Sequence, residues 1–182
     1  MEILLTRHGQ TEWNVLHKVQ GKADIELNEE GIKQANKAKE LLQNEAIDLI
    51  LCSPLTRAVQ TANIINRDRN IPMIITEGMS ERDFGEFEGM TKAEFDFEGF
   101  WSYKQNLQYQ KAENIRSFFE RVYSFLDDVQ LKYKGKRILL VAHGGISIPV
   151  NCYFNGIPDT DDLLSLTIKN CEVAKYVYKE EK

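Results

Sequence analysis

The stretch "LLTRHGQTEWN" (residues 4–14) begins as an apolar run and stops abruptly at Thr6-Arg7-His8-Gly9. A second stretch, "ILLVAHGG" (138–145), behaves the same way and ends at His143-Gly144-Gly145. The chain holds three histidines, and two of them close such runs. Short continuous apolar runs bounded by glycine are the pattern of strands buried on both faces of a sheet. Working outward, residues 2–6 and 137–142 read as strands, and so do "IDLILC" (47–52) and "PMIIT" (72–76). Amphipathic stretches alternate with them. Asn28-Glu29-Glu30 looks like a helix start, with Ile32, Ala35, Ala38 and Leu41-Leu42 as its inner face. Ser53-Pro54 reads as a capping Ser with Pro at the first helical position, opening a helix to about Asn66. A long helix over 113–133 carries an apolar stripe from Ile115 to Val129, and a short helix follows Gly145. The tail reads as two strands, 163–168 and 174–178, turned around Asn170. This alternation predicts an α/β three-layer sandwich with a mainly parallel central sheet, one domain over residues 1–182.

Residues 82–112 break the rhythm. They are rich in aromatic and acidic residues without a clean period, which suits a short capping insertion over one end of the sheet as well as it suits ordinary packing.

Composition narrows the function. At 182 residues and a net charge of −5, nucleic acid and anionic membrane are disfavoured as main partners. The apolar runs are too short to span a bilayer, and no charged-then-apolar leader precedes the first strand, so a cytoplasmic protein is expected. Cys52, Cys152 and Cys171 are odd in number and widely spaced, as reduced buried thiols would be. No His, Cys, Asp or Glu cluster has metal-ligand spacing, so no metal or other cofactor is expected. A homo-dimer is compatible with the sequence.

Ligands of open α/β sheets bind outside the carboxyl ends of the strands. Those ends carry Arg7-His8, Arg57, Glu81 and His143. Two guanidinium forks match the oxygens of a phosphoryl group. A neutral imidazole flanked by arginines can attack phosphorus, and a second imidazole can support charge on the equatorial oxygens. A carboxyl group can protonate the leaving oxygen and later deprotonate water. Glycine after each His lets backbone N–H groups approach the phosphate.

These residues carry a family resemblance. "RHGQTEWN" resembles the signature of the histidine phosphatase superfamily, which includes the cofactor-dependent phosphoglycerate mutases. "QGKADIELNEEGIKQA" (20–35), "SPLTRAVQTA" (53–62), "SERDFGEFEG" (80–89) and "VAHGG" (141–145) are similar to further family segments in the family's order. The resemblance implies a phosphoglycerate mutase-like fold and a histidine acid phosphatase-type phosphomonoesterase acting on a small-molecule phosphomonoester. By the same resemblance His8 is the nucleophile, Arg7, Arg57 and His143 hold the phosphate, and Glu81 is general acid and base. Asn14, Thr11, Gln20, Gly21 and the Gly144 backbone then line or support the phosphate and substrate pocket. Ala112-Glu113 departs from a Gly-Glu pair frequent in related phosphatases. Gln10 and His17 receive no catalytic role, and Trp13 reads as a packing aromatic.

Other chemistries fit less well. "CSPLTR" (52–57) spaces Cys and Arg by four residues where a tyrosine-phosphatase loop needs five, and Pro54 removes a backbone donor. "DTDD" (159–162) lies in a late loop, not after an early strand as in aspartate-nucleophile phosphatases. "GGISI" (144–148) falls one Gly short of a serine-hydrolase elbow. A catalytically dead phospholigand-binding relative would lack His8 or Glu81, and both are present. Between hydrolysis and mutase chemistry, "ERDFGEFEG" and the short span between Glu81 and His143 favour a phosphatase near the small bacterial and α-ribazole phosphatase branch. Glu86, Glu88, Glu94, Asp96 and Glu98 suggest an acidic cap that suits an apolar or aromatic leaving group.

Overall fold

The structure is a computed structural model and describes residues 1–179. Five strands, β1 (Glu2–Arg7), β2 (Leu49–Cys52), β3 (Met73–Ile75), β4 (Arg137–Ala142) and β5 (Val173–Val177), form one sheet in the order β3-β2-β4-β1-β5. β1 to β4 are parallel to their neighbours and β5 runs antiparallel to β1.

The period-two alternation of the strands divides the core between two faces. Ile3, Leu5, Leu49, Leu51, Ile138 and Leu140 point to one side. There they meet α5 (Ile115–Lys132) and α6 (Gly144–Asn155), whose Phe118, Phe119, Val122, Ile146 and Val150 are buried. Leu4, Ile50, Cys52, Leu139 and Val141 point to the other, against α2 (Glu29–Leu42) and α3 (Thr56–Asn66). Two short helices complete the set, α1 (Glu12–Val15) and α4 (Phe97–Phe100). The result is a helix–sheet–helix sandwich whose central strands are apolar on both sides, which is why they read as unbroken runs.

Three sequence expectations are corrected. The inner face of α2 is Gly31, Ala35, Ala38 and Leu42, while Ile32 and Leu41 face solvent. Close approach of the loop after β1 decides this: a Cβ at Gly9 would collide with the Gly31 carbonyl, and one at Gly31 with the Gln10 carbonyl. Only the small stripe allows that approach. The α3 helix starts at Thr56, not at Pro54, and Ser53 does not cap it. Instead the Asp24 carboxylate accepts from Thr56 N and Oγ1, both at 2.7 Å. Finally, 163–168 forms a 3-10 turn over Leu164–Leu166, not a strand. Ser165 is held by local bonds to Asp162, which close a turn in place of a ladder.

The 82–112 segment contains α4 and short turns built around stacked aromatics. Phe84 and Phe100 stack at 4.7 Å and Phe87 and Phe95 at 4.5 Å. Arg82, fully buried, lies 3.5 Å from the Phe100 ring centroid. It donates to the Phe100 and Glu113 carbonyls and so ties this segment to the start of α5.

Candidate active site

Register brings the two histidines together. Arg7 pairs with Ala142 in the β1–β4 ladder, so the next residues, His8 and His143, emerge side by side at the carboxyl edge. His8 N donates to the Ala142 carbonyl at 2.9 Å, and the ring centroids are 5.3 Å apart. Arg57 reaches the same point from the first turn of α3, and Glu81 from the loop beyond β3.

His8 is buried, and its Nδ1 lies 2.7 Å from the Gly9 carbonyl. A carbonyl only accepts, so Nδ1 carries the hydrogen and Nε2 keeps its lone pair. Burial and the charges of Arg57 and Arg7 hold this ring's pKa well below its ordinary 6.5. His8 is therefore a neutral imidazole with a free Nε2 at neutral pH. Burial, Arg57, His8 and Arg7 depress His143 in the same sense.

The two arginines are fixed by backbone carbonyls. Arg57 donates to the Gly21 and Ala23 carbonyls, both at 2.7 Å, and Arg7 to the Ile168 carbonyl at 3.2 Å. Among the described residues, these bonds leave Arg7 Nε, Arg57 Nε and His143 Nδ1 buried without partners. A buried donor left unpaired costs about 1–3 kcal/mol. Three orphaned nitrogens on three converging side chains form a site that an anion would complete.

Glu81 is 8 % exposed, and its two oxygens accept from Gly145 N and Arg82 N, both at 2.9 Å. Burial raises its pKa above the ordinary 4.5, and the two amides, Arg57 and Arg7 oppose that rise. A carboxyl group displaced in this direction keeps its proton to higher pH than an ordinary glutamate, as a proton donor requires.

The cleft above these groups has a volume of about 330 Å³. Arg7, His8, Arg57, Glu81, Asn14, Gln20, Gly21 and Gly144 all border it. Gly21 has φ +52°, and a Cβ there would strike the Glu88 carboxylate, so glycine is required. Two expected residues do not border the cleft. Thr11 is fully buried and caps α1, accepting from Asn14 N and donating its own N–H to Asn14 Oδ1, and so orients Asn14. His143 is fully buried at the base of the site, its ring centroid 5.3 Å from that of His8 and its Nε2 2.6 Å from Ser53 Oγ.

The cap acids are also not where the sequence suggested. Glu88 accepts from Lys22 N, Glu94 from Thr91 and Asp96 from Gly99, and none of the five acids borders the cleft. The rim carries Lys18 and Lys92 instead, beside Phe97 and Trp101. An isolated bridge between Lys18 and Thr91 holds the two lysine segments together. His17, assigned no context by the sequence, stands at the same rim. Nothing in the local pattern marks Lys18 or Lys92, because their adjacency arises from a bridge between positions 73 residues apart in sequence.

The cysteine alternative is removed. Cys52 is fully buried, and burial pushes its thiol up to about 12, so it is no thiolate nucleophile. Among the described residues no group of three or more His, Cys, Asp or Glu gathers as a metal site, and no helix is long and apolar enough to cross a membrane.

Comparison with known proteins agrees with this geometry. The sequence profile of the histidine phosphatase superfamily (branch 1) matches residues 3–182. An uncharacterized phosphatase PhoE of Bacillus subtilis is 34% identical over 181 residues, 99% of this chain and 90% of its own. A 2,3-bisphosphoglycerate-dependent phosphoglycerate mutase of Neisseria meningitidis is 28% identical over 206 aligned positions, covering 92% of this chain and 90% of the mutase. The phosphoserine phosphatase of Entamoeba histolytica, solved with phosphoserine, superposes with a TM-score of 0.85 at 30% identity, over 98% of this chain and 91% of that one. With its two histidines, two arginines and one carboxyl at a single sheet edge, the chain belongs to the histidine phosphatase superfamily.

Proposed function

We propose that this protein is a metal-independent phosphomonoesterase that works through a phosphohistidine at His8 on a small phosphate ester bearing a second anionic group. The observation that carries the reading is the trio of orphaned nitrogens, Arg7 Nε, Arg57 Nε and His143 Nδ1, gathered around a neutral His8. They supply the donors a phosphoryl group needs in both ground and transition states.

The chemistry balances with this chain's groups alone. Nε2 of His8 forms a bond to phosphorus as the phosphorus–oxygen ester bond breaks. Glu81, protonated, gives its proton to the departing alkoxide. The Glu81 carboxylate then takes a proton from water, whose oxygen attacks phosphorus and releases orthophosphate and neutral His8.

The second anion is argued from the rim. Lys18 and Lys92 flank the cleft, and none of the five cap acids borders it. A carboxylate on the alcohol would meet these lysines, and the phosphoserine bound by the structural relative is such a compound. An apolar or aromatic leaving group alone would leave both lysines unused.

Hydrolysis is favoured over mutase chemistry by length. The alignment with the mutase runs over 206 positions while covering 92% of a 182-residue chain, so the mutase carries segments this chain lacks. A mutase must keep water from its phosphohistidine, and extra covering segments serve that end.

The test is hydrolysis of p-nitrophenyl phosphate in excess EDTA by wild type and His8→Ala, followed by phosphoserine and 3-phosphoglycerate. Turnover abolished by the substitution is expected. Conversion of 3-phosphoglycerate to 2-phosphoglycerate with negligible phosphate release would replace this reading with a mutase.

A further inference from the structure

Ser53 stands outside the set of residues given a role above. The sequence suggests a helix cap there, and α3 starts without it. Its position follows from the sheet: β2 is parallel to β4, and Ser53 N donates to the Val141 carbonyl at 3.0 Å, which places Ser53 beside His143. Both side chains are fully buried.

Hydrogen-bond accounting assigns the protons. The Ser53 hydroxyl has one hydrogen to donate. Its Oγ accepts from Leu55 N at 3.3 Å, and among the described residues the one other partner within reach is His143 Nε2 at 2.6 Å. If Nε2 carried the hydrogen, the buried hydroxyl hydrogen would have no acceptor, and Nδ1 would be a buried lone pair with no donor. If the hydroxyl donates to Nε2, every group at this contact is satisfied and one N–H remains, on Nδ1. That N–H belongs to the same orphaned trio as Arg7 Nε and Arg57 Nε.

We infer that Ser53 is a positioning residue that fixes His143 as the Nδ1–H tautomer and thereby gives the bound phosphoryl group its imidazole donor. The inference rests on the phosphatase reading only for the identity of the acceptor. Without Ser53 nothing selects this tautomer, and the hydrogen moves to Nε2, the form free imidazole side chains prefer. Nδ1 would then present a lone pair to the phosphate oxygens. Ser53→Ala therefore turns an attractive contact into a repulsive one without touching substrate.

The experiment uses 15N-labelled histidine in the full chain. With three histidines, His143 is assigned by the resonance lost in His143→Asn. Long-range 1H–15N spectra of wild type are expected to show His143 protonated at Nδ1 and bare at Nε2, with the Nδ1 proton shifting when orthophosphate is added. In Ser53→Ala the pattern reverses, the orthophosphate shift disappears, and kcat for p-nitrophenyl phosphate falls by about 100-fold, the scale of losing one transition-state donor. Ser53→Thr keeps the hydroxyl and restores both tautomer and turnover. The inference is overturned if wild-type His143 carries its proton on Nε2, if the tautomer is the same in wild type and Ser53→Ala, or if orthophosphate leaves the Nδ1 proton unmoved. Turnover retained by His8→Ala would instead sink the phosphohistidine reading, and the orthophosphate shift reads Ser53 independently of it.

Discussion

The amide of Gly145 donates to Oε2 of Glu81 at 2.9 Å, joining the second residue of α6 to a loop 64 positions earlier in the chain. This single bond links the two halves of the site. The first turn of α6 places its free N–H groups at the sheet edge, as helix starts do, and one of them holds the carboxyl group that must shuttle a proton. Arg82 N holds the other oxygen, so the carboxyl plane is fixed by backbone alone.

Gly145→Ala should therefore disable the enzyme while leaving it folded. The position is helical, where alanine is the better residue by about 1 kcal/mol. A Cβ there would collide with Glu81 Oε1 and come within 2.8 Å of Trp101 Cη2. Glu81 must move, and a displacement near 1 Å costs about 100-fold in rate. The expected result is a kcat loss of that order with an unchanged far-ultraviolet spectrum and a melting temperature at or near wild type. Wild-type kcat in the alanine variant would mean that Glu81 needs no fixed seat.

Glu81→Gln separates substrates by their leaving groups. p-Nitrophenolate departs without a proton, whereas the alkoxide of phosphoserine needs one. In kcat/KM, which covers only the transfer of the phosphoryl group to His8, the substitution should slow phosphoserine by about 100- to 10,000-fold and p-nitrophenyl phosphate far less. The pH profile of kcat/KM with phosphoserine carries the same information. His8 must be neutral and Glu81 protonated, and their pKa values are displaced toward that state, His8 downward and Glu81 upward. Activity thus falls on the alkaline side as Glu81 ionises, and this limb should be missing in the glutamine variant. Equal losses of kcat/KM on both substrates would remove Glu81 as the acid of the first step.

The parts of this molecule that were legible in the sequence are those governed by local rules. β1 and β4 are buried on both faces, so their residues had to be uniformly apolar, and Arg7, His8 and His143 stood out where those runs ended. The family motifs then named Arg57 and Glu81, and the fold brings all five to one edge. What stayed hidden depends on contacts distant in sequence. Ser53 reads as a cap because Ser-Pro commonly is one, yet its hydroxyl is taken by a histidine 90 residues away. Ile32 looks like core until the Gly9–Gly31 approach selects the opposite stripe of α2. The acids of the cap suggest an acidic pocket because composition carries no direction; each of those with a named partner caps a nearby backbone turn or amide.

Lys18 and Lys92 should sort substrates by charge. Lys92→Glu is expected to raise KM for phosphoserine about tenfold, the equivalent of roughly 1.4 kcal/mol, and to leave KM for p-nitrophenyl phosphate within about threefold, since that ester presents no second anion to the rim. Lys18, bridged to the cap through Thr91, should behave alike. Raising the salt concentration should narrow the difference between the two substrates, because both lysines border an open cleft. A parallel rise in KM for both esters would mean that the lysines act on the phosphate and that no second anion is read.

The same buried groups shape stability against pH, and they pull in opposite directions. An unfolded histidine titrates near 6.5, while folded His8 and His143 titrate well below that. Between those values the unfolded chain binds more protons, so stability rises with pH; the contribution is complete above 6.5 and is lost as the pH falls toward the folded pKa. Glu81 is the reverse case. Its folded pKa lies above the ordinary 4.5, so its contribution is complete below 4.5 and declines as the pH rises through the folded value. Melting temperatures measured from pH 8 down to pH 5 should therefore fall for wild type as the acid side is approached, and less steeply for His143→Asn, which has no ring to charge. Glu81→Gln turns one of the two accepting oxygens into an NH2 that faces an amide donor, so it should melt below wild type near pH 4.5, and this deficit should shrink as the pH rises and the wild-type carboxyl ionises. Parallel melting curves for wild type and His143→Asn would show that His143 carries no proton linkage to folding. A catalytic carboxyl whose contribution to stability declines as it ionises is what a site built for proton transfer, at some cost in stability, is expected to contain.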